Sequence, residues 1–391
     1  MTSAHDQKFI VFGAPAIGEE EIEEVVATMK SSWLGTGPKT AAFEAAFAEY
    51  KGLEKEHAAA VNSCTAAIHL SLLAANLEPG SEVITTPLTF CATANAIIHA
   101  GFTPVLADVD PETQNISPEA IRKAITPKTG AILPVHFAGY PCDMDAIMAI
   151  AKEHNLKVIE DCAHAIESEY KGQKTGTIGD FGCFSFYVTK NLVTGEGGLI
   201  LSKSLDAAAR IKILALHGMS KDAWHRYSDK GFKHYQVVEC GYKYNMMDLQ
   251  AAIGLHQLNR LEENWVRRQE IWNTYQKAFS NLPITCPKNP GSNIRHGYHL
   301  YTIRINEERS GFSRDQFMEA LREKAIGTGV HYLSLPEHPY YQERFMWNTA
   351  DFPNAKIIGR ETISLPLSAR LSDADISHIC KTVTSLLNGG P

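Results

Sequence analysis

Gly179 to Gly198 reads GDFGCFSFYVTKNLVTGEGG, and the rest of the chain is organised around it. Cys183-Phe184-Ser185-Phe186-Tyr187 make a β-rich run, bounded by Gly182 before it and by Gly195, Gly197 and Gly198 beyond the turn. One lysine, Lys190, stands between that run and the later glycines, which predicts a loop position held by rigid strands. An amine reacts as a nucleophile only while neutral, and a desolvated site secures this by lowering its pKa. Lys190 is therefore a Schiff-base candidate. A lysine by itself is ordinarily a solvated surface group, so its neighbours decide the matter.

Outward from this stretch, strand-like and helix-like segments alternate. Glu82 to Thr86, Pro104 to Val109, Ala131 to Val135, Lys157 to Asp161, Cys183 to Tyr187 and Leu199 to Ser202 read as strands. Cys91 to Ala100, Pro118 to Ala124, Met144 to His154 and Leu205 to Leu216 read as helices between them. Such alternation implies a mainly parallel sheet covered by helices on both faces, with ligands bound beyond the carboxyl ends of the strands. Asp161 closes LKVIED, Pro87 to Phe90 follow VITT, and Lys190 follows CFSFY, so three distant stretches converge on one rim.

Near the start, Ile17 to Lys30 has the pattern of an amphipathic helix with an acidic first turn, suited to the helix dipole. The loop SSWLGTGPKT that follows holds Trp33, which either lines a site or merely turns. Asn62-Ser63-Cys64-Thr65-Ala66-Ala67 follows the apolar run Ala58 to Val61 and opens an Ala- and Leu-rich helix. Hydroxyl residues at a helix start cap free N–H groups, and those groups also bind phosphate, so Thr65 is either a cap or a phosphate ligand. Gly218 to Cys240 breaks the alternation. Its Lys221, His225, Arg226, Lys230, Lys233 and His234 either receive a diphosphate or form a solvated loop.

From Met246 a long helical pattern, with Leu258, Leu261, Trp265, Trp272, Tyr275 and Phe279 at spacings of three, four or seven, predicts a helix bridging two domains. The division falls at 1–257 for a large domain and 258–391 for the linking helix and a small one. The small α/β unit is read from the strand HLYTIRI, the helix Arg314 to Lys324, the strand-like GTGVHYLSL and a closing helix after Ser372.

With 391 residues, 44% of them hydrophobic and 21% charged, the chain is globular and long enough for two or three domains. A net charge of −7 without a basic cluster argues against nucleic acid as a partner. The eight cysteines form no CxxC pair, which predicts reduced thiols, no metal site and a cytoplasmic protein. No signal peptide or membrane span is read from the sequence.

The rim meets the needs of pyridoxal 5′-phosphate, an electron sink once its aldehyde is tied to an amine. Lys190 supplies the amine, and Asp161 faces the ring nitrogen and keeps it protonated. Thr65 and Ser185, with the Ala66 amide, take the phosphate, while Phe90 stacks on the ring and His164 meets its opposite face. Singly, Asp161 reads as a helix cap and Ser185 as a core hydroxyl; together with Lys190 they read as a site. Gly195-Glu196-Gly197-Gly198 is not a dinucleotide loop, because it lacks the GxGxxG spacing and precedes a strand.

Asn62 to Ala67, Glu160-Asp161-Cys162-Ala163-His164-Ala165, Phe184 to Asn191, Gly195 to Gly198, Gly241-Tyr242-Lys243-Tyr244-Asn245 and Gly327-Thr328-Gly329-Val330-His331 together resemble the DegT/StrS-type nucleotide-sugar aminotransferases, over nearly the whole chain. The resemblance implies an α/β architecture of pyridoxal phosphate fold type I: a large domain with a mainly parallel, seven-stranded-type sheet between helices, plus a smaller C-terminal α/β domain. It implies L-glutamate as donor, a nucleotide-diphosphate keto-sugar as acceptor and a homodimer in which Asn245 reaches the phosphate of the neighbouring subunit's cofactor. HGMSKDAWHR, GYKYNMMDLQAAI and IGTGVHY are most similar to the UDP-4-amino-4-deoxy-L-arabinose synthase branch, which modifies lipid A and in which His331 lies near the substrate. Phe90 stands where tryptophan or tyrosine is frequent in the family, and Tyr187 where histidine is. Two alternatives on the same scaffold are a sugar dehydratase, which carries histidine in the lysine's place, and a non-catalytic regulator.

Overall fold

Strands buried on both faces read as apolar runs, as AAAV at 58–61 and GLILS at 198–202 do, and the computed structural model, which describes residues 8–220 and 235–389, contains seven strands in one sheet. In chain order they are β1 (Ala58–Val61), β2 (Glu82–Thr85), β3 (Thr103–Leu106), β4 (Thr129–Leu133), β5 (Lys157–Asp161), and, after the two-residue strands β6 (Glu169–Tyr170) and β7 (Gln173–Lys174), β8 (Phe181–Ser185) and β9 (Gly198–Ser202). The spatial order is β1-β9-β8-β5-β4-β2-β3. Neighbours from β3 through β2, β4 and β5 to β8 are parallel, and β9 runs against both β8 and β1. The carboxyl ends of β1, β2, β5 and β8 and the start of β9 therefore share one edge. The registers Asp161 to Cys183 and Ser185 to Gly198 tie that edge together.

The helix Cys64–Ala74 is buried almost all round, as a helix apolar on every side must be. Its residues share a core with Val61, Ile159, Cys183 and Ile200 of the sheet. Leu258 and Leu261 join a second cluster on β1, β8 and β9, with Phe43, Phe47, Phe184 and Phe186.

Three expected elements take a different form. The long helix is two, Asp248–Asn259 and Leu261–Phe279, broken at Arg260, where the backbone turns to φ −98°, ψ 2°. Arg260 is tied there to Glu20 at 3.0 Å and to Glu21. The β-run following Gly182 ends at Ser185, because Phe186 leaves the strand to bond Gly197 O and Thr194 N, and Tyr187 emerges 44% exposed. GTGVHYLSL forms no strand: Gly329 makes one bridge to Ser364. The strands here are the two-residue β10 (Ile294–Arg295), which joins β6 and β7, then β11 (Tyr301–Arg304) and its antiparallel partner β12 (Thr362–Leu365). Trp272, Tyr275, Tyr301, Phe317 and Ile363 build the C-terminal core, which the helix Asp373–Gly389 and, from the other end of the chain, Ile10 complete.

Candidate active site

Lys190 and Asp161 line one cavity of about 610 Å³ at the carboxyl edge of the sheet. Lys190 follows β8 and is pinned by its own N–H to Tyr187 O at 2.9 Å, while its amine makes no hydrogen bond among the described residues. Burial lowers its pKa to about 8, against the opposing pull of Cys64 and Asp161. The loop thus presents a lysine that sheds its proton near neutrality.

Asp161 ends β5 and is buried. Its Oδ1 accepts the Ala163 N–H at 3.1 Å and its Oδ2 the Thr93 hydroxyl at 3.0 Å. Burial raises its pKa; those two bonds and Lys190 oppose the rise. A cation brought against the carboxylate would tip the balance toward the ionised form. Directly behind it Glu160, on the other face of the strand, accepts Ile178 N and Gly179 N on Oε1 and Gly176 N and His136 Nε2 on Oε2, at 2.7 to 2.9 Å. His136 Nδ1 accepts the Cys142 N–H, so its proton lies on Nε2. His136, Glu160 and Cys162 lie close enough to suggest a metal site, but these bonds already use the histidine and the glutamate.

The helix start at Cys64 differs from expectation. Ser63, not Thr65, is the cap: its Oγ accepts the Ala66 N–H at 3.1 Å. The Ala66 N–H is donated to Ser63, and Ala66 is not among the residues lining the cavity. The amides of Cys64 and Thr65 have no partner among the described residues, nor do the hydroxyls of Thr65 and Ser185, and all three residues line the cavity. Gly198 keeps this corner open, since a Cβ there would stand 2.5 Å from the Ser63 carbonyl carbon and oxygen. Free amides at the positive end of an 11-residue helix, beside two free hydroxyls, suit a phosphate.

Phe90, at the head of the helix Cys91–His99, is 58% exposed at the mouth of the cavity. His164 is buried in its wall and held neutral by burial, with the charge of Lys190 acting in the same direction. His331 also reaches the cavity. Its ring stacks on Phe12 at 5.4 Å, its Nδ1 meets Ser364 Oγ at 2.8 Å, and burial lowers its pKa to about 4. Trp33 and Asn245 are not brought to Lys190. They line a separate cavity of about 460 Å³ against β1, where Asn245 Nδ2 donates to Thr36 Oγ1 at 2.6 Å. Lys221 and Arg226 lie outside the described residues.

Sequence reading missed Thr93 and Tyr332. Thr93 stands three residues past Phe90, one turn into a helix that begins at the rim, and that spacing was the available signal. Tyr332 follows His331 in the stretch taken for a strand, and its hydroxyl lies 3.1 Å from His164 Nε2.

A reactive lysine, a buried acid and a free helix terminus at the carboxyl edge of an α/β sheet define a pyridoxal-phosphate-dependent transferase, and the residues present fit that cofactor. The family model for the DegT/DnrJ/EryC1/StrS aminotransferase family matches residues 15–384, and the chain belongs to that family. It is 49% identical over 382 residues to the spore coat polysaccharide biosynthesis protein SpsC of Bacillus subtilis (strain 168), covering 97% of this chain and 98% of that one. Among solved structures it is similar to the putative sugar aminotransferase Spr1654 of Streptococcus pneumoniae in its PMP form, with a TM-score of 0.90, 33% identity and coverage of 97% and 99%. Helicobacter pylori PseC, an aminotransferase of pseudoaminic acid biosynthesis, matches with a TM-score of 0.90, 28% identity and coverage of 98% and 100%. The chain is thus a sugar aminotransferase by family and fold. No helix among the described residues is long and apolar enough to cross a membrane.

Proposed function

We propose that this protein moves an amino group from L-glutamate to the C4 keto group of a nucleotide-diphosphate sugar, a UDP-4-keto sugar, for surface polysaccharide, lipid A or related amino-sugar synthesis. The observation that carries the reading is the pairing, in one cavity, of an amine without a hydrogen-bond partner and with a pKa of about 8 and a buried carboxylate held by two donors. Pyridoxal phosphate, when bound, supplies the electron sink. Lys190 would hold the cofactor at its aldehyde carbon, and its Nζ, when neutral, would take the proton from the donor's α-carbon. Asp161 would keep the ring nitrogen protonated, with Thr93 and the Ala163 N–H fixing its two oxygens. Thr65, Ser185 and the Cys64 and Thr65 amides would hold the phosphate, and Phe90 and His164 would flank the ring.

The enzyme works as a cytoplasmic homodimer. Asn245 and Trp33 stand away from their own chain's Lys190, as residues serving the partner's site would. Lys221 and Arg226 take the diphosphate and His331 faces the sugar. The polysaccharide role named for SpsC supports this substrate class, and the large domain extends to residue 257.

The test is mass spectrometry of products from a panel of UDP- and dTDP-4-keto sugars with glutamate. Amination of a UDP-4-keto sugar is expected, and a Lys190→Ala variant should make no product. A protein that gains no yellow absorbance with the cofactor, or a lysine variant that still turns over, overturns the reading.

A further inference from the structure

We infer that Asn191, held by Glu167 and through it by Arg268, is a positioning residue that sets where Lys190 stands relative to Asp161; this rests on the reading of the Lys190 cavity given above. Asn191 shares a peptide bond with Lys190. Among the described residues it is the only member of the stretch 187–193 whose side chain hydrogen-bonds outside that stretch. Its Nδ2 donates to Glu167 Oε2 and to Gly297 O, each at 2.9 Å, and its Oδ1 lies 3.0 Å from His299 Nδ1. A carboxylate and a carbonyl only accept, so the amide nitrogen must face them and the amide oxygen must face the histidine, whose proton then lies on Nδ1. Both amide hydrogens are used, and the flipped amide would meet two acceptors with an acceptor.

The anchor is placed to gauge the site. Glu167 lies six residues past Asp161, on the segment that leaves β5 and carries His164 into the cavity wall. The bond between Asn191 and Glu167 therefore joins the lysine's loop to the acid's, and the span between amine and acid follows from it. From the other side Glu167 is fixed by Arg268 Nη2, with both side chains buried. Arg268 sits on the helix Leu261–Phe279, whose Ile271, Trp272 and Tyr275 belong to the C-terminal core. Burying two charges is costly, and such a pair seldom stabilises a fold more than apolar side chains of the same size. What this pair supplies is a fixed carboxylate for Asn191. Lys190, Asn191, Arg268 and His299 also line a small cavity of about 50 Å³, room for a few waters, toward which an untied loop would release the amine.

The experiment reads the proton affinity of Lys190 in the cofactor-free chain, by competitive acetylation across pH and mass spectrometry of the peptide that holds it, wild type against Asn191→Ala. Alanine leaves the Glu167–Arg268 pair intact, frees the loop and lets water reach the amine. The midpoint should rise from about 8 by about one pH unit or more, toward the ordinary lysine value. A role confined to stability would leave it in place. In the cofactor-loaded protein, the single-turnover rate with saturating L-glutamate should fall about tenfold to a hundredfold, while the glutamate concentration giving half that rate changes by less than about threefold. Should Asn191→Ala fail to fold, Glu167→Gln combined with Arg268→Met removes both buried charges together and the tie to the helix with them, and it should move the midpoint the same way. An unmoved midpoint in a folded variant, or an unchanged single-turnover rate, overturns the inference and leaves the function standing. A wild-type protein that gains no absorbance with pyridoxal phosphate overturns the function; the acetylation midpoint, which needs no cofactor, still decides the inference.

Discussion

Replacing Lys190 by methionine should stabilise the cofactor-free protein while it removes the reacting amine. The charged form of Lys190 is disfavoured by burial, which brings its pKa from the ordinary 10.5 down to about 8. A depression of about 2.5 units corresponds to about 3.4 kcal/mol at 1.36 kcal/mol per unit. The cavity is open enough to admit solvent, so about 2 kcal/mol is the working figure. Methionine keeps the length and apolar stem without the charge. The sign of the pH dependence follows from proton counting. Below pH 8 both folded and unfolded wild type hold this proton, and the full penalty applies. Between the folded value of about 8 and the unfolded value of about 10.4 only the unfolded chain holds it, so wild-type stability rises with pH over that window. The advantage of Lys190→Met should be greatest at pH 7 and nearly gone at pH 10. At about 0.8 kcal/mol/K of unfolding entropy for a chain of this length, 2 kcal/mol is worth roughly 2 to 3 °C in melting temperature. Thermal unfolding of both cofactor-free proteins at pH 7 and pH 10 measures it. A gap of the same size at both pH values would show that Lys190 carries no charge penalty, and the argument for its reactivity would fail.

Thr93→Val removes one of the two donors to Asp161; a charge-assisted bond of about 1.5 to 3 kcal/mol raises the acid's pKa by about one to two units, so the acidic limb of the pH-rate profile should move up by that much and activity should recover at alkaline pH. An unmoved limb would detach Thr93 from Asp161. Gly198→Ala sets a Cβ 2.5 Å from Ser63 backbone atoms that cannot yield; the start of the helix Cys64–Ala74 should shift, with a stability loss of about 1 to 3 kcal/mol and weaker cofactor binding by equilibrium dialysis. Ser63→Ala deletes the cap bond to Ala66 and should cost about 1 kcal/mol in denaturant titration. Mixing inactive Lys190→Ala and Asn245→Ala proteins should restore part of the activity if Asn245 serves the partner's site, and none if it serves its own.

What was legible in the sequence was the part that residue type and period dictate. Strands such as AILPV and LILS read as apolar runs between helical patterns, so the sheet and its rim followed, with Asp161 and Lys190 both on it. The misreadings share a physical cause, which is that tertiary partners decided them. No glycine or proline marks the break at Arg260, and the apolar period runs through it; the break is held by Glu20 and Glu21, some 240 residues away in sequence. NSCTAA offers two hydroxyls for one cap, and the strand ending at Val61 decides in favour of Ser63, which frees Thr65. GTGVHYLSL has strand-like composition but pairs with β12 only at Gly329, and beyond that bridge Val330, His331 and Tyr332 line the cavity.

The same division holds within the site. The chemistry is carried by side chains whose type narrows their role, a lysine and an acid above all. Its tuning is carried by backbone groups that no residue type announces. Ala138 has a left-handed backbone, φ 56°, in the turn Phe137–Gly139, and that turn aims its N–H at His164. One amide thereby sets the tautomer of a histidine, and the histidine sets the direction of a tyrosine's proton. Any residue at position 138 that could not hold that turn would disturb the site without touching a single reacting atom. Ala138→Val, β-branched and strained at positive φ, should therefore cost about 1 to 3 kcal/mol in denaturant titration. An unchanged unfolding midpoint in Ala138→Val would show that the turn at Phe137–Gly139 does not need the small residue.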